Sequence, residues 1–275
     1  MGARTRPPGA RRSRVLGAER LQPPRRPLAG GTVLVSAPGW LAAHVAAVAP
    51  LTAHSRSLLL DVPGWPGNLA GQHLDVRLTA EDGYQAERSY SVASVGTGTT
   101  VELAVDEIVD GEVSPYLVRD IRPGDFLEVK GPLGAYFVWR GDEPAPVQLI
   151  AGGSGIVPLL AMVRAHAASA NEAPFRLLYS TRSPADAMYA DDLLRLSGPL
   201  LAIDWVYTRA TPDGWPRPAG RVRLDELAQR CVPPEQRPLV YVCGPTAFVE
   251  TVADALVQIG HAPQRVRTER FGGAA

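Results

Sequence analysis

Between Ala86 and Ser94 the chain reads AERSYSVAS, which brings a guanidinium, a phenol and three hydroxyls into nine residues. On an extended strand Arg88 and Tyr90 project from one face, and Ser89 and Ser91 from the other. An arginine fork matches the oxygens of a phosphate or pyrophosphate. A tyrosine ring offers a flat face to a conjugated ring system. A serine hydroxyl donates to a ring nitrogen or accepts from one. Together these are the parts of a flavin site. The four residues RSYS, taken alone, are better described as an exposed strand with ordinary polar groups.

A second chemical stretch is AGGSGIVP at 151–158, between the apolar run VQLIA and the periodic run PLLAMVRAHA. Gly152, Gly153 and Gly155 permit a tight turn around Ser154 and let a phosphate approach the backbone. The helix that follows presents free N–H groups and a positive dipole end to such an anion. Pro158 suits the first helical turn, where an N–H has no partner. No Lys-Ser/Thr pair follows, which excludes a nucleotide-hydrolysing P-loop. A ligand-free strand-to-helix turn is the competing reading. The next apolar run ends in YSTRSP at 179–184. Where a Rossmann-type NAD site places an acid for the ribose hydroxyls, this chain has Ser180 and Arg182, suited to a 2′-phosphate. That favours NADPH over NADH, against the alternative of a solvated loop arginine. VCGPTAF at 242–248 marks a further strand-to-helix switch. Cys243, small and followed by Gly244 and Pro245, either lets a flat ring come close or is a core cysteine.

The elements that position these residues fall into two patterns. Up to about residue 143, short β-rich runs are separated by turn signals: SRSLLLDV, GQHLDVRLT, RSYSVASV, TTVELAVDEI, DFLEVKG and GAYFVW. Such spacing predicts an antiparallel sandwich or barrel. One helical piece, SPYLVRDI, follows Gly111. From 144 onward buried strands alternate with helices: VQLIA, FRLLYS, LAIDWVYT and PLVYVCG each precede an amphipathic run. That pattern predicts an α/β domain with a parallel sheet. The 275 residues suffice for two cores of ordinary size, read as 40–143 and 144–275.

Residues 1–39 form a basic, Pro/Arg-rich tail without apolar periodicity, read as disordered. Residues 1–30 carry eight arginines and one acid, leaving 20 basic against 27 acidic residues in the rest of a chain of zero formal net charge. RRSRVLG at 11–17 has the paired arginines of a twin-arginine export signal. Pro38 and His44 interrupt the apolar stretch after it, whose end reads as the first strand of a domain, so the chain is read as cytoplasmic. A start-site artefact accounts for the tail as well as any function does. Prolines, glycines and charges break every candidate membrane span. Two cysteines and five scattered histidines supply neither a disulfide framework, a cysteine-ligated cluster nor a metal site. GGSGI lacks the final glycine of a nucleophile elbow, which excludes the common hydrolase arrangement.

The motifs, taken in order, resemble the ferredoxin–NADP reductase superfamily from about Trp40 to Gly272, and in particular its stand-alone bacterial flavin reductases. RSYS resembles that family's R-x-Y-[ST] flavin motif, GEVSPYL its pyrophosphate turn, GGSGIVP its nicotinamide-nucleotide turn, CGP its nicotinamide-side motif, and ERF at 269–271 a C-terminal motif. The resemblance implies a FAD-binding barrel, a nucleotide-binding α/β domain and a redox site in the cleft between them. It places Arg88 on the flavin phosphates, Tyr90 against the isoalloxazine and Ser91 near its N5. Gly111, Glu112, Val113 and Ser114 would supply N–H groups, and Ser114 its hydroxyl, to the pyrophosphate. Ser154 would reach the nicotinamide side, Arg182 and Tyr189 the adenosine end. Cys243 and Glu269 would flank the hydride path, and Phe271 would cover the flavin. The implied activity takes a hydride from NADPH or NADH to FAD and passes electrons to a separate acceptor: a ferredoxin, haem protein, oxygenase or molybdenum enzyme component. Nucleic acid and membranes are not expected partners. The alternative is a flavin-free nucleotide-binding subunit or scaffold of a larger redox complex.

Overall fold

The computed structural model describes residues 39–80 and 82–272; the expectations for the tail and its arginine pair lie outside them. The first six strands are β1 (Leu41–Pro50), β2 (Ser55–Asp61), β3 (His73–Thr79), β4 (Gln85–Ser91), β5 (Thr100–Asp106) and β6 (Phe126–Leu133). They form one antiparallel sheet in the order β4-β3-β6-β1-β2-β5. The two ends of that order approach each other through a bridge between Val92 and Leu103 and a bond from the Ala93 N–H to the Glu102 carbonyl (2.8 Å), so the sheet curls into a barrel. Alternate residues fill it: Leu74, Val76 and Leu78 of β3 face Val101, Leu103 and Val105 of β5 in one core. Burying each such side chain stabilises by about 1.5–3 kcal/mol. Helix α1 (Ser114–Arg119) packs Tyr116, Leu117 and Val118 into the same core.

The second sheet comprises β7 (Val147–Gly152), β8 (Phe175–Thr181), β9 (Leu201–Tyr207), β10 (Leu239–Pro245) and β11 (Val266–Phe271). All its strands are parallel, in the order β11-β10-β7-β8-β9. Helices α2 (Ile156–Ala167), α3 (Ala190–Leu196), α4 (Leu224–Arg230) and α5 (Thr246–Gln258) connect or cover them. Every residue of β7 is buried, as expected for a parallel strand covered on both faces. The chain winds outward from β7 to β9, then returns to lay β10 on the other side of β7. The winding reverses between β7 and β10, and ligands of open α/β sheets bind at the carboxyl ends of strands beside such a point.

One expectation changes. GAYFVW forms no strand of its own: Phe137 and Trp139 turn into the core of the α/β domain, edge-on to Tyr241 and Phe175 at 5.4 and 5.2 Å. Aromatic burial across the domain boundary outcompetes ladder pairing there. VRTERF, which carries the ERF motif, forms β11 along the parallel edge that β10 offers. The domains share that core, and a polar clamp joins them. The Arg164 guanidinium on α2 donates to Glu102 of β5 (2.6 Å), to Asp192 of α3 (2.7 Å) and to the Ala93 carbonyl (3.1 Å).

Candidate active site

Strand β4 lies at one end of the barrel sheet, and its alternation is as expected. Glu87 and Ser89 meet their register partners Arg77 and Asp75, the Ser89 hydroxyl donating to Asp75 at 2.6 Å. Tyr90 lies against the barrel core, and burial pushes its phenol well above the usual range. Arg88 stands half exposed, and its guanidinium pairs with the Glu112 carboxylate. The Tyr84 hydroxyl also donates to Glu112, at 2.8 Å, and these two partners hold the Glu112 carboxyl below its ordinary value. The pair draws Arg88 together with the loop from Gly111 to Ser114. That loop is tied by the Gly111 N–H to the Ile108 carbonyl (2.8 Å) and by the Ile108 N–H to the Ser114 hydroxyl (3.0 Å). Since the Ser114 oxygen accepts this bond, its proton remains to be donated. RSYS and GEVS, separate in sequence, thus meet at one corner, where the Arg88 guanidinium is held by Glu112 beside the Ser114 hydroxyl.

The second half of the site is the reversal point of the parallel sheet. Gly153, at φ +55°, has nothing within 4 Å of where a Cβ would stand, so the turn opens freely. Gly155 is required by close approach: a Cβ there would lie 2.1 Å from the Cys243 carbonyl oxygen. The turn after β7 is therefore seated directly on the end of β10. Cys243 is 1% exposed, and burial first, then the Glu269 carboxylate, raises its thiol. Glu269 is its register partner on β11, and burial pushes the Glu269 carboxyl up to about 7.

A cavity of about 580 Å³ opens in the cleft. Gly152, Gly153, Ser154, Ser180, Arg182 and Pro245 line one wall, with Phe271 at its edge. His54, Asp106, Glu107, Val109 and Arg119 of the barrel line the other. The Arg182 carbonyl accepts the N–H groups of Arg209 (2.8 Å) and Ala210 (3.1 Å), fixing the loop while the side chain stays exposed. Asp106 faces it: burial raises the Asp106 carboxyl, and Arg182 pulls it back down. These barrel residues escape sequence reading because nothing in their local pattern shows which side of β5 meets the other domain. Tyr189 is placed elsewhere. It is 7% exposed, donates to Glu102 at 2.8 Å and lies beneath Arg164, so it belongs to the clamp between domains and does not line this cavity. Its side chain is committed to a contact that its position after an exposed loop does not reveal.

Residues 53–138 match the model of an oxidoreductase FAD-binding domain, and residues 149–254 that of an oxidoreductase NAD-binding domain. Ferredoxin–NADP reductase B of Sorangium cellulosum is 30% identical over 241 residues, covering 83% of this chain and 96% of that one. The chain belongs to the ferredoxin–NADP reductase family. Its two domains are the FAD-binding and NAD-binding domains of this family of NAD(P)H-dependent flavoprotein reductases. A flavohemoprotein of Pseudomonas putida is 31% identical over 212 residues, covering 76% of this chain and 52% of that one. The crystal structure of an Amycolatopsis cytochrome P450 reductase superposes with a TM-score of 0.74 at 27% identity, covering 84% of this chain and 69% of that one. The chain spans 52–60% of the length of the first curated relatives it matches. Among the described residues no helix is long and apolar enough to cross a membrane.

Proposed function

We propose that this chain takes a hydride from NAD(P)H to FAD held at the domain junction and passes electrons to a separate acceptor. The observation that carries the reading is the cleft cavity, where Glu107 and Val109, just before the Gly111–Ser114 loop, face the Gly152–Ser154 turn at the reversal point of the parallel sheet. The residues fit both cofactors. Arg88, the N–H groups from Glu112 to Ser114 and the Ser114 hydroxyl would hold the pyrophosphate, with Arg88 leaving Glu112 to do so. Tyr90 orients the isoalloxazine, and Ser91 donates a hydrogen bond beside it. The turn at Gly152–Gly155 and the Ser180–Arg182 loop would hold the nucleotide, with Gly244 and the buried Cys243 on the nicotinamide side, where the Phe248 ring packs against Gly152 and Gly244. Bound there, FAD supplies the conversion of a two-electron donor into single electrons. The chain contributes alignment of the two rings and exclusion of water, the main sources of rate for such a transfer.

The acceptor is a one-electron protein partner, supported by relatives named for ferredoxin and for cytochrome P450. Arg182 makes NADPH the preferred donor, and the protein works in the cytoplasm, where this donor is kept reduced. Purified protein should be yellow and release FAD on denaturation. The deciding experiment is anaerobic mixing of the holoprotein with NADPH or NADH while flavin absorbance is followed. Bleaching is expected; a flavin that neither nucleotide bleaches overturns the reading.

A further inference from the structure

We propose that Arg217 is a positioning residue for nucleotide choice: with Glu226 it fixes the loop that holds Arg182 toward the 2′-phosphate of NADP(H). The inference rests on Arg182 meeting that phosphate. Between β9 and α4, from Thr208 to Arg223, the chain forms neither strand nor helix. Its start runs along the nucleotide loop. The Thr208 N–H donates to the Thr181 carbonyl (2.9 Å), and the N–H groups of Arg209 and Ala210 donate to the Arg182 carbonyl. Thr208 lines the cleft cavity together with Arg182. A run of this length without regular structure needs another tether to keep one shape in a compact domain.

The tether is a buried guanidinium: Arg217 and Glu226 are 7% and 5% exposed. Glu226, in the first turn of α4, accepts Arg217 Nε on Oε1 and Nη2 on Oε2 (2.8 Å), and this fork holds its carboxyl below the ordinary value. Its Oε2 also accepts the Arg223 N–H (3.0 Å), which fixes the end of the loop to the helix. The other N–H groups of Arg217 reach loop carbonyls. Nη1 donates to Pro218 (3.0 Å) and Gly220 (3.0 Å), and Nη2 to Arg221 (2.8 Å). The carbonyl of Tyr207, the last residue of β9, lies 3.4 Å from Nη1 and accepts the Gly220 N–H (3.1 Å). All five donors of the guanidinium are thus committed within the protein, so Arg217 acts on a nucleotide only through the loop. Its bonds tie the far half of the loop to β9 and α4, while the near half grips Arg182. A buried ion pair is often no more stabilising than apolar side chains of the same volume. What this one supplies is a single loop shape. A lysine would keep the charge, but its three donors leave from one point and do not span these carbonyls and the carboxylate together.

The test is titration calorimetry of the full-length, FAD-loaded protein with NADP⁺ and with NAD⁺. For Arg217→Lys the Kd of NADP⁺ should rise roughly three- to tenfold and that of NAD⁺ by less than about twofold, with FAD content and flavin absorbance unchanged. Glu226→Gln keeps the shape of the pair and should shift the ratio in the same direction by a smaller factor; it carries the comparison if Arg217→Lys does not fold. In an Arg182→Ala background Arg217→Lys should no longer change NADP⁺ affinity, because the residue through which it acts is gone. A role confined to stability gives a lower melting temperature with the NADP⁺-to-NAD⁺ ratio unchanged. That result, or an equal NADP⁺ loss with and without Arg182, overturns the proposal. Wild-type protein that binds both nucleotides alike, or an Arg182→Ala variant that loses both equally, overturns the reading of Arg182 instead, so the two failures are distinguishable.

Discussion

Replacement of Arg182 by alanine should separate the two nicotinamide nucleotides. Its backbone is held by two N–H bonds to its carbonyl, and its exposed side chain faces the cleft cavity. The truncation therefore removes a charge without unfolding the loop. A charge-assisted bond contributes about 1.5–3 kcal/mol. Solvent exposure places this one at the lower end, near 1.5 kcal/mol, which is roughly tenfold in affinity. A second effect adds to the loss. Asp106 and Asp186 border the same cavity, and Arg182 offsets the charge of Asp106. Without Arg182 their carboxylates repel the 2′-phosphate, so the dissociation constant of NADP⁺ should rise about tenfold or more, while that of NAD⁺ changes by less than about twofold. Titration calorimetry of the holoprotein with each oxidised nucleotide measures both. Arg182→Ala combined with Asp106→Asn should recover part of the NADP⁺ loss. Equal weakening of NAD⁺ and NADP⁺ would refute the assignment of Arg182 to the 2′-phosphate.

Arg88→Ala should weaken FAD binding by about tenfold or more, seen as flavin lost on gel filtration, because among the described residues Arg88 is the arginine paired with Glu112. Arg164→Ala leaves Glu102 and Asp192 without their shared cation at a side chain only 25% exposed. It should cost about 2–3 kcal/mol and lower the melting temperature by roughly 5–10 °C in calorimetry; unchanged melting would remove the clamp from the account. Burial depresses the imidazoles of His166 and His261, so the unfolded chain binds protons that the native state refuses. Stability is thus full above about pH 6.5 and falls as pH drops through the depressed values, with a flatter urea-midpoint profile expected for His166→Phe, which keeps the ring stacked on Phe175. Iodoacetamide should label neither cysteine of the native protein, since Cys231 and Cys243 are 3% and 1% exposed and the Cys231 thiol is pushed up to about 12.

The sequence by itself determined the two fold classes and marked the candidate site, because both are written in local periodicity and in short motifs. The alternation in HLDVRLT and TVELAVD could only be half-buried strands, and the strand–Gly turn–helix order around Gly152–Gly155 could only be a parallel unit. Arg88, Ser114 and Arg182 were readable for the same reason: their chemistry is carried within a few residues. Tertiary structure decided what depends on which surfaces meet. It turned Phe137 and Trp139 from a strand into an interdomain core, and gave β11 its place by offering an edge. It committed Tyr189 to Glu102 rather than to the cavity. It also set Asp106 opposite Arg182 and His73 opposite Glu269, residues far apart in the chain. Such pairings come from the docking of two domains, and no window of local sequence contains both partners.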